Sequence, residues 1–292
     1  MANRIYCLLI VAICCVLLPA HAQELPTAPK FLPTGELRVG INPVQPPLIF
    51  VKEKRVAGLE ADFARAFATD LGVPLNFVVM DWDELIPALV EGKIDIIMSG
   101  MTATELRAVR INFVTPYLAT GQMPLVRVGD VSRYPTTMAL KYTQVRVGVE
   151  EGTTGDFLVR ENFLYAERVS YDNIQDAAVD LSNGDLGMVV YDAPTVWWLA
   201  SEDGGSGLSP LATVLTNEYI AWGVSKTNPE MKLAAEAFLR NLQSNGELAK
   251  MLELWVPFVG RPASRPAQQA APAPERTKPE VHNPDRFQGG AR

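Results

Sequence analysis

The feature that most constrains this chain is the alternation of short apolar runs with helically spaced segments between residues 37 and 98. Residues 37–41 read as a strand and lead into a proline-rich loop at 43–47. Residues 58–71 then place Leu59, Phe63, Phe67 and Leu71 at helical spacing, and Gly72 ends the run. The pattern continues with a strand at 75–80, a helix at 82–91 and a strand at 94–98. A β-α-β-α-β order predicts the α/β class, a parallel-rich sheet with helices on both faces. Ligands of such sheets bind beyond the carboxyl ends of the strands, where Asn42, Asp81, Trp82 and Gly100 to Thr102 are expected to meet. A second alternating region starts at 145–149 and continues through 186–190, and residues 231–254 read as helical. No internal repeat is evident.

The run from Ser99 to Arg107 follows a buried strand and puts small and hydroxyl residues where a strand hands over to a helix. Free backbone N–H groups at such a junction favour an anion, and Arg107 adds a planar fork of donors suited to a carboxylate. The same spacing also fits an ordinary helix start, with Thr102 or Thr104 as cap and Arg107 in solvent.

The two ends of the chain differ in kind from the middle. Residues 1–22 have the form of a cleaved secretory signal: Arg4, an apolar run over 6–18, and Ala20-His21-Ala22 before Gln23. That predicts export to the periplasm. Residues 23–34 read as an extension. All three cysteines (Cys7, Cys14 and Cys15) fall in the signal, so the exported chain is expected to have none and to fold without disulfides. Residues 261–292 are rich in Pro, Ala and Gln with hardly a bulky apolar group, and are expected to be disordered. The whole chain carries −7; setting aside the tail's +3 and Arg4 leaves −11 for the rest. So acidic a body argues against a nucleic-acid partner.

Of the two histidines, His21 belongs to the signal and His282 to the tail, which removes a Ser-His-Asp triad or a histidine metal site from the predicted folded part. The run 152–155 lacks dinucleotide-binding GxGxxG spacing. No cofactor and no metal are expected.

Six motifs in order strengthen the assignment. They are Gly58-Leu59-Glu60-Ala61-Asp62, the 81–89 run beginning Asp81-Trp82-Asp83, and Gly92-Lys93-Ile94-Asp95 with the stretch that follows. After these come Val147-Gly148-Val149 with the 152–155 loop, the 185–192 run ending Tyr191-Asp192, and Asn228-Pro229-Glu230. Over residues 35–257 the chain resembles the family 3 extracellular solute-binding proteins, the polar amino acid receptors of ABC importers.

The resemblance implies a type II periplasmic binding protein fold: two parallel-rich lobes, joined by two hinge crossings, that close on a ligand. Lobe one would be residues 35–120 plus 219–257, lobe two residues 124–217, with the hinge near Gly121-Gln122 and Glu218-Tyr219. It also implies site roles. Arg107 would pair with the ligand α-carboxylate, Thr102 would contact carboxylate and ammonium, and the Gly100 carbonyl would face the ammonium. Thr153 and Thr154 would finish the carboxylate cage, and Asp192 would hold the α-ammonium, a helix cap before Ala193-Pro194 being its alternative role. Trp82 would lie against the ligand side chain, or fill core beside Leu85. Asn42 and Gln45 stand where relatives vary with ligand class, and two neutral amides there weigh against lysine or arginine. Glu150 is left between the pocket and solvent.

The implied protein is a non-enzymatic, monomeric receptor whose partners are a small amino acid or related carboxylate and an inner-membrane ABC permease. Two alternatives stand beside it: a dehydratase on the same lobes, like cyclohexadienyl dehydratase, recruiting Glu150 or Asp172 as acid, and a periplasmic sensor or partner protein outside transport.

Overall fold

The computed structural model describes residues 29–201 and 207–257. The expected signal and the 261–292 tail lie outside those residues. Two five-stranded sheets organise the rest. In the first, Leu75–Val79, Leu37–Ile41 and Ile96–Ile97 run parallel; Gly223–Val224 joins antiparallel beside Ile96–Ile97, and Asn112–Phe113 closes the edge. In the second, Glu167–Tyr171, Arg146–Glu150 and Met188–Asp192 are parallel, and Gln122–Arg127 and Leu208–Pro210 add antiparallel strands. The α/β expectation holds.

Alternation along the strands explains why each sheet is covered on both faces. Leu37, Val39 and Ile41 enter one cluster with the helix residues Phe63 and Phe67 and with Trp222 and Phe238. Ile97 points the other way, into a cluster with Leu85, Leu89 and Ile94. In the second sheet Val147, Val149 and Val190 face Val159 and Phe163, whereas Leu125, Val189 and Tyr191 face Ile174, Leu181 and Val196. Each sheet therefore forms its own lobe, with helices as the outer layers.

Two segments connect the lobes. Leu118–Thr120 pairs antiparallel with Glu218–Ile220, with Thr120 opposite Glu218. Gly121 follows, and a Cβ there would lie 2.1 Å from the Thr216 carbonyl oxygen, so the two crossings approach too closely for any side chain.

Several expected elements take a different form. The strand at 94–98 shrinks to Ile96–Ile97; Asp95, just before it, accepts from Nε, Nη2 and the backbone N–H of Arg38. The segment 82–91 opens as a 3-10 turn, Trp82–Glu84, before the helix Leu85–Val90. The helical segment 231–254 is two helices, Pro229–Ser244 and Glu247–Trp255, broken where Gly246 takes a φ of 80°. The proline-rich loop contains a two-residue strand, Val44–Gln45, paired with Ile49–Lys52.

Candidate functional site

The site is assembled where strand ends of both sheets meet the two crossings. Arg107 comes from a single helical turn, Glu105–Ala108, whose cap is Thr104: its hydroxyl accepts from the Arg107 N–H at 3.2 Å. That turn is too short to act as an anion seat through its own backbone. The guanidinium carries the chemistry instead. Its Nη1 donates to the Thr102 carbonyl at 2.9 Å and its Nη2 to the Gly152 carbonyl of the other lobe at 3.4 Å. It also lies 5.1 Å from the centroid of the Trp82 ring, a cation–π distance. No ion pair engages Arg107 among the described residues. Burial lowers its pKa, while the charges of Asp192, Glu218 and Tyr191 oppose that shift.

Asp192 ends the strand Met188–Asp192 of the second lobe and is 6% exposed. Its Oδ2 accepts from Gln45 Nε2 of the first lobe at 2.9 Å, and its Oδ1 accepts from Gln122 Nε2. Burial, with the charge of Glu218 next, pushes its pKa up to about 7. The amide of Gln122, the charge of Arg107 and the amide of Gln45 hold it from going further. The Gln45 amide lies close over Gly100, which has a φ of 66°: a Cβ there would sit 2.3 Å from Gln45 Oε1.

Two neighbouring threonines have separate duties. Thr153 caps the helix Thr154–Asn162, accepting from the Asp156 N–H at 3.3 Å, and donates to the Glu150 carbonyl at 2.7 Å. Its hydroxyl is thus committed to the fold. Thr154 Oγ1 faces the cleft and donates to Glu218 Oε2 at 2.8 Å. Thr102 donates to the same oxygen at 3.0 Å from the first lobe. Gln122 Nε2 reaches Thr154 Oγ1 at 2.9 Å and Glu218 Oε2 at 3.5 Å, and Thr216 donates to Glu218 Oε1 at 2.7 Å.

Gln122, Thr216 and Glu218 are the members of this network that the sequence does not point to as site residues. They lie on or beside the crossing strands, where the family resemblance implies only a hinge. Glu150 is neither solvated nor open to the cleft: it is 2% exposed, and burial raises its pKa to about 8 against the hydrogen bond with Tyr191.

Trp82 separates two cavities. On one side a space of about 460 Å³ is lined by Asn42, Asp81, Asp83, Gly152, Tyr171 and Asp172, with Glu151 also on its wall. On the other, about 150 Å³ lies against Met101, Arg107 and Gly152. Trp82 Nε1 donates across the cleft to the Gly152 carbonyl at 3.3 Å, and its side chain packs against the Leu85 cluster, the core role that is its alternative. Asn42 lines the larger cavity, its backbone N–H held by Ser99 Oγ at 2.9 Å. The structure therefore brings Asn42, Gln45, Trp82, Gly100, Thr102, Arg107, Thr154 and Asp192 together, and leaves Thr153 behind them as a cap. Among the described residues no three His, Cys, Asp or Glu side chains converge as a metal set.

Two lobes on crossing strands, meeting around a fixed cation and a fixed anion, define a cleft-type small-molecule binding protein. Residues 37–258 match the model of the bacterial extracellular solute-binding proteins, family 3, and the chain belongs to that family. It is 28% identical over 251 residues to the L-arginine-binding protein of Pseudomonas aeruginosa, covering 83% of this chain and 96% of that one. It is 25% identical over 222 residues to the L-cystine-binding protein TcyJ of Escherichia coli K12, covering 76% and 82%. Among solved structures it is similar to the ancestral amino acid-binding protein AncCDT-1, a precursor of cyclohexadienyl dehydratase. That match has a TM-score of 0.73 and 30% identity, over 77% of this chain and 97% of that one.

Proposed function

We propose that this protein is a periplasmic receptor that captures an α-amino acid between its lobes and delivers it to an ABC importer. The observation that carries the reading is the juxtaposition of Arg107 and Asp192: a guanidinium with no carboxylate partner among the described residues, and a buried carboxylate held by two amides from different lobes. A zwitterion supplies the complement, a carboxylate for Arg107 and an ammonium for Asp192, in a site shielded from water. Lobe one is taken as residues 35–120 plus 219–257 and lobe two as 124–217. Rotation about the two crossings would convert occupancy into a closed shape for a permease to recognise.

A thermal-shift screen of the twenty L-amino acids tests this, because a ligand that binds only the folded state raises the melting temperature. One or more clear shifts are expected; none across the set at millimolar concentration would refute the reading. The enzymatic alternative draws on the likeness to AncCDT-1 and on Glu150, which burial keeps protonated up to about pH 8. Against it, Glu150 is absent from the walls of the larger cavity, and Asp172, which does line it, is exposed. Turnover of prephenate or arogenate would establish that alternative.

A further inference from the structure

The hydroxyl half of the carboxylate seat is already filled by the chain itself. Glu218 Oε2 takes the hydroxyls of Thr102 and Thr154, one from each lobe, and Oε1 takes Thr216. If the cleft holds an amino acid as proposed above, Arg107 balances the ligand carboxylate and Asp192 balances its ammonium. Glu218 is then left with neutral donors only. The cleft has one fixed cation and two fixed anions in contact with its hydrogen-bond network.

The larger cavity continues the imbalance. Asp81, Asp83, Glu151 and Asp172 stand on its walls, and no lysine or arginine does. Asn42 is 9% exposed, lines the same space, and makes no side-chain hydrogen bond among the described residues. Its amide is therefore a buried polar group with capacity left for a ligand. Neutral amides at Asn42 and Gln45 argue against a basic ligand when considered alone; the carboxylates around them reverse that argument.

We propose that Glu218 is a specificity-determining residue whose uncompensated charge, extended by the acidic wall beside Asn42, makes the cleft select an α-amino acid with a cationic side chain over its neutral and anionic counterparts. The inference rests on the receptor reading and fails separately from it. Charges in a partly desolvated cleft interact across several ångströms, so the anion need not touch the side chain it favours.

L-arginine and L-citrulline differ at the terminal group by one charge and little in shape, and calorimetric titration of both gives the ratio directly. The wild-type protein is expected to prefer L-arginine by about tenfold or more. Glu218→Gln keeps an oxygen acceptor for Thr102 and Thr154 and removes the charge, the amide nitrogen then facing the Thr216 hydroxyl as a donor, so it should cut that preference at least about threefold. A purely structural role would lower both affinities together and leave the ratio alone. Asp83→Asn with Asp172→Asn, at exposed positions that leave the fold intact, should also reduce the ratio. The inference is overturned if wild type binds L-citrulline or L-glutamate as tightly as L-arginine, or if the ratio is unchanged in Glu218→Gln. Binding of neutral amino acids without L-arginine would overturn it while leaving the receptor reading in place. Binding of no amino acid at all would end both.

Discussion

Asp192 ties ligand capture to pH in a way that can be worked out from its surroundings. Burial and the charge of Glu218 raise its pKa to about 7, so at that pH half of the unliganded molecules hold a proton on the carboxylate that must receive the ammonium. A ligand ammonium binds the ionised form and pulls the pKa down, which expels the proton. Apparent affinity then scales with the ionised fraction of the free protein. That fraction is about 3% at pH 5.5 and about 90% at pH 8 for a group titrating near 7, so affinity should rise about thirty-fold between them.

The slope should approach tenfold per pH unit below 6 and flatten above 7.5. The assay is calorimetry, in two buffers of different ionisation enthalpy, with the L-amino acid giving the largest thermal shift. It should report release of about half a proton per ligand at pH 7, nearly one at pH 5.5 and about a tenth at pH 8. Glu150, with its pKa near 8 and its charge coupled to Asp192, is the confounding group, so Glu150→Gln should leave a single step near pH 7. Asp192→Asn should abolish the dependence along with most of the affinity. A wild-type dissociation constant flat within twofold across this range, with no proton exchange, would refute the reasoning.

Other outcomes follow from the same geometry. Arg107→Ala should weaken amino acid binding by about 2–5 kcal/mol, seen by calorimetry. It should cost the unliganded fold only about 1 kcal/mol, since its hydrogen bonds there go to two carbonyls. Thr153→Ala and Thr154→Val should separate two adjacent hydroxyls. The first removes a helix cap, costs about 1 kcal/mol of stability and leaves affinity nearly unchanged; the second changes affinity at nearly constant melting temperature.

Stability of the unliganded protein should also vary with pH. Asp192, Glu150 and Glu60 have pKa values raised to about 7, 8 and 8, chiefly by burial. The folded state therefore binds more protons than the unfolded chain from about pH 4 to 8, and stability falls as pH rises through that window. Melting temperatures should decline from pH 5 to 8.5; a rise would contradict the assignment.

What the sequence reveals depends on how local the information is. Arg107, Trp82 and Asp192 sit in runs whose order is distinctive: the first two belong to short helical turns that follow apolar strands, and Asp192 ends a strand. Gln122 and Glu218 lie 96 residues apart on segments of three to six residues, and only the pairing of the crossings brings them together. Gln45 reaches Asp192 across 147 residues. No local pattern encodes such a contact. The split between Thr153 and Thr154 depends on where a helix begins, a matter of a single residue. Asp95 shows the converse: it belongs to a distinctive motif, yet its carboxylate is spent on Arg38.

The strand Gly223–Val224 lies inside the first sheet, between Ile96–Ile97 and Asn112–Phe113, although it comes more than a hundred residues later in the chain. Every strand of the second sheet falls between Gln122 and Pro210, in one uninterrupted stretch. During synthesis the second lobe can thus be completed while the first still has a gap in its middle, with Phe63 and Phe67 waiting for Trp222 and Phe238 to cover them. The lobe that begins first is finished last, and the cleft, which needs both, is the final part of the molecule to come into being.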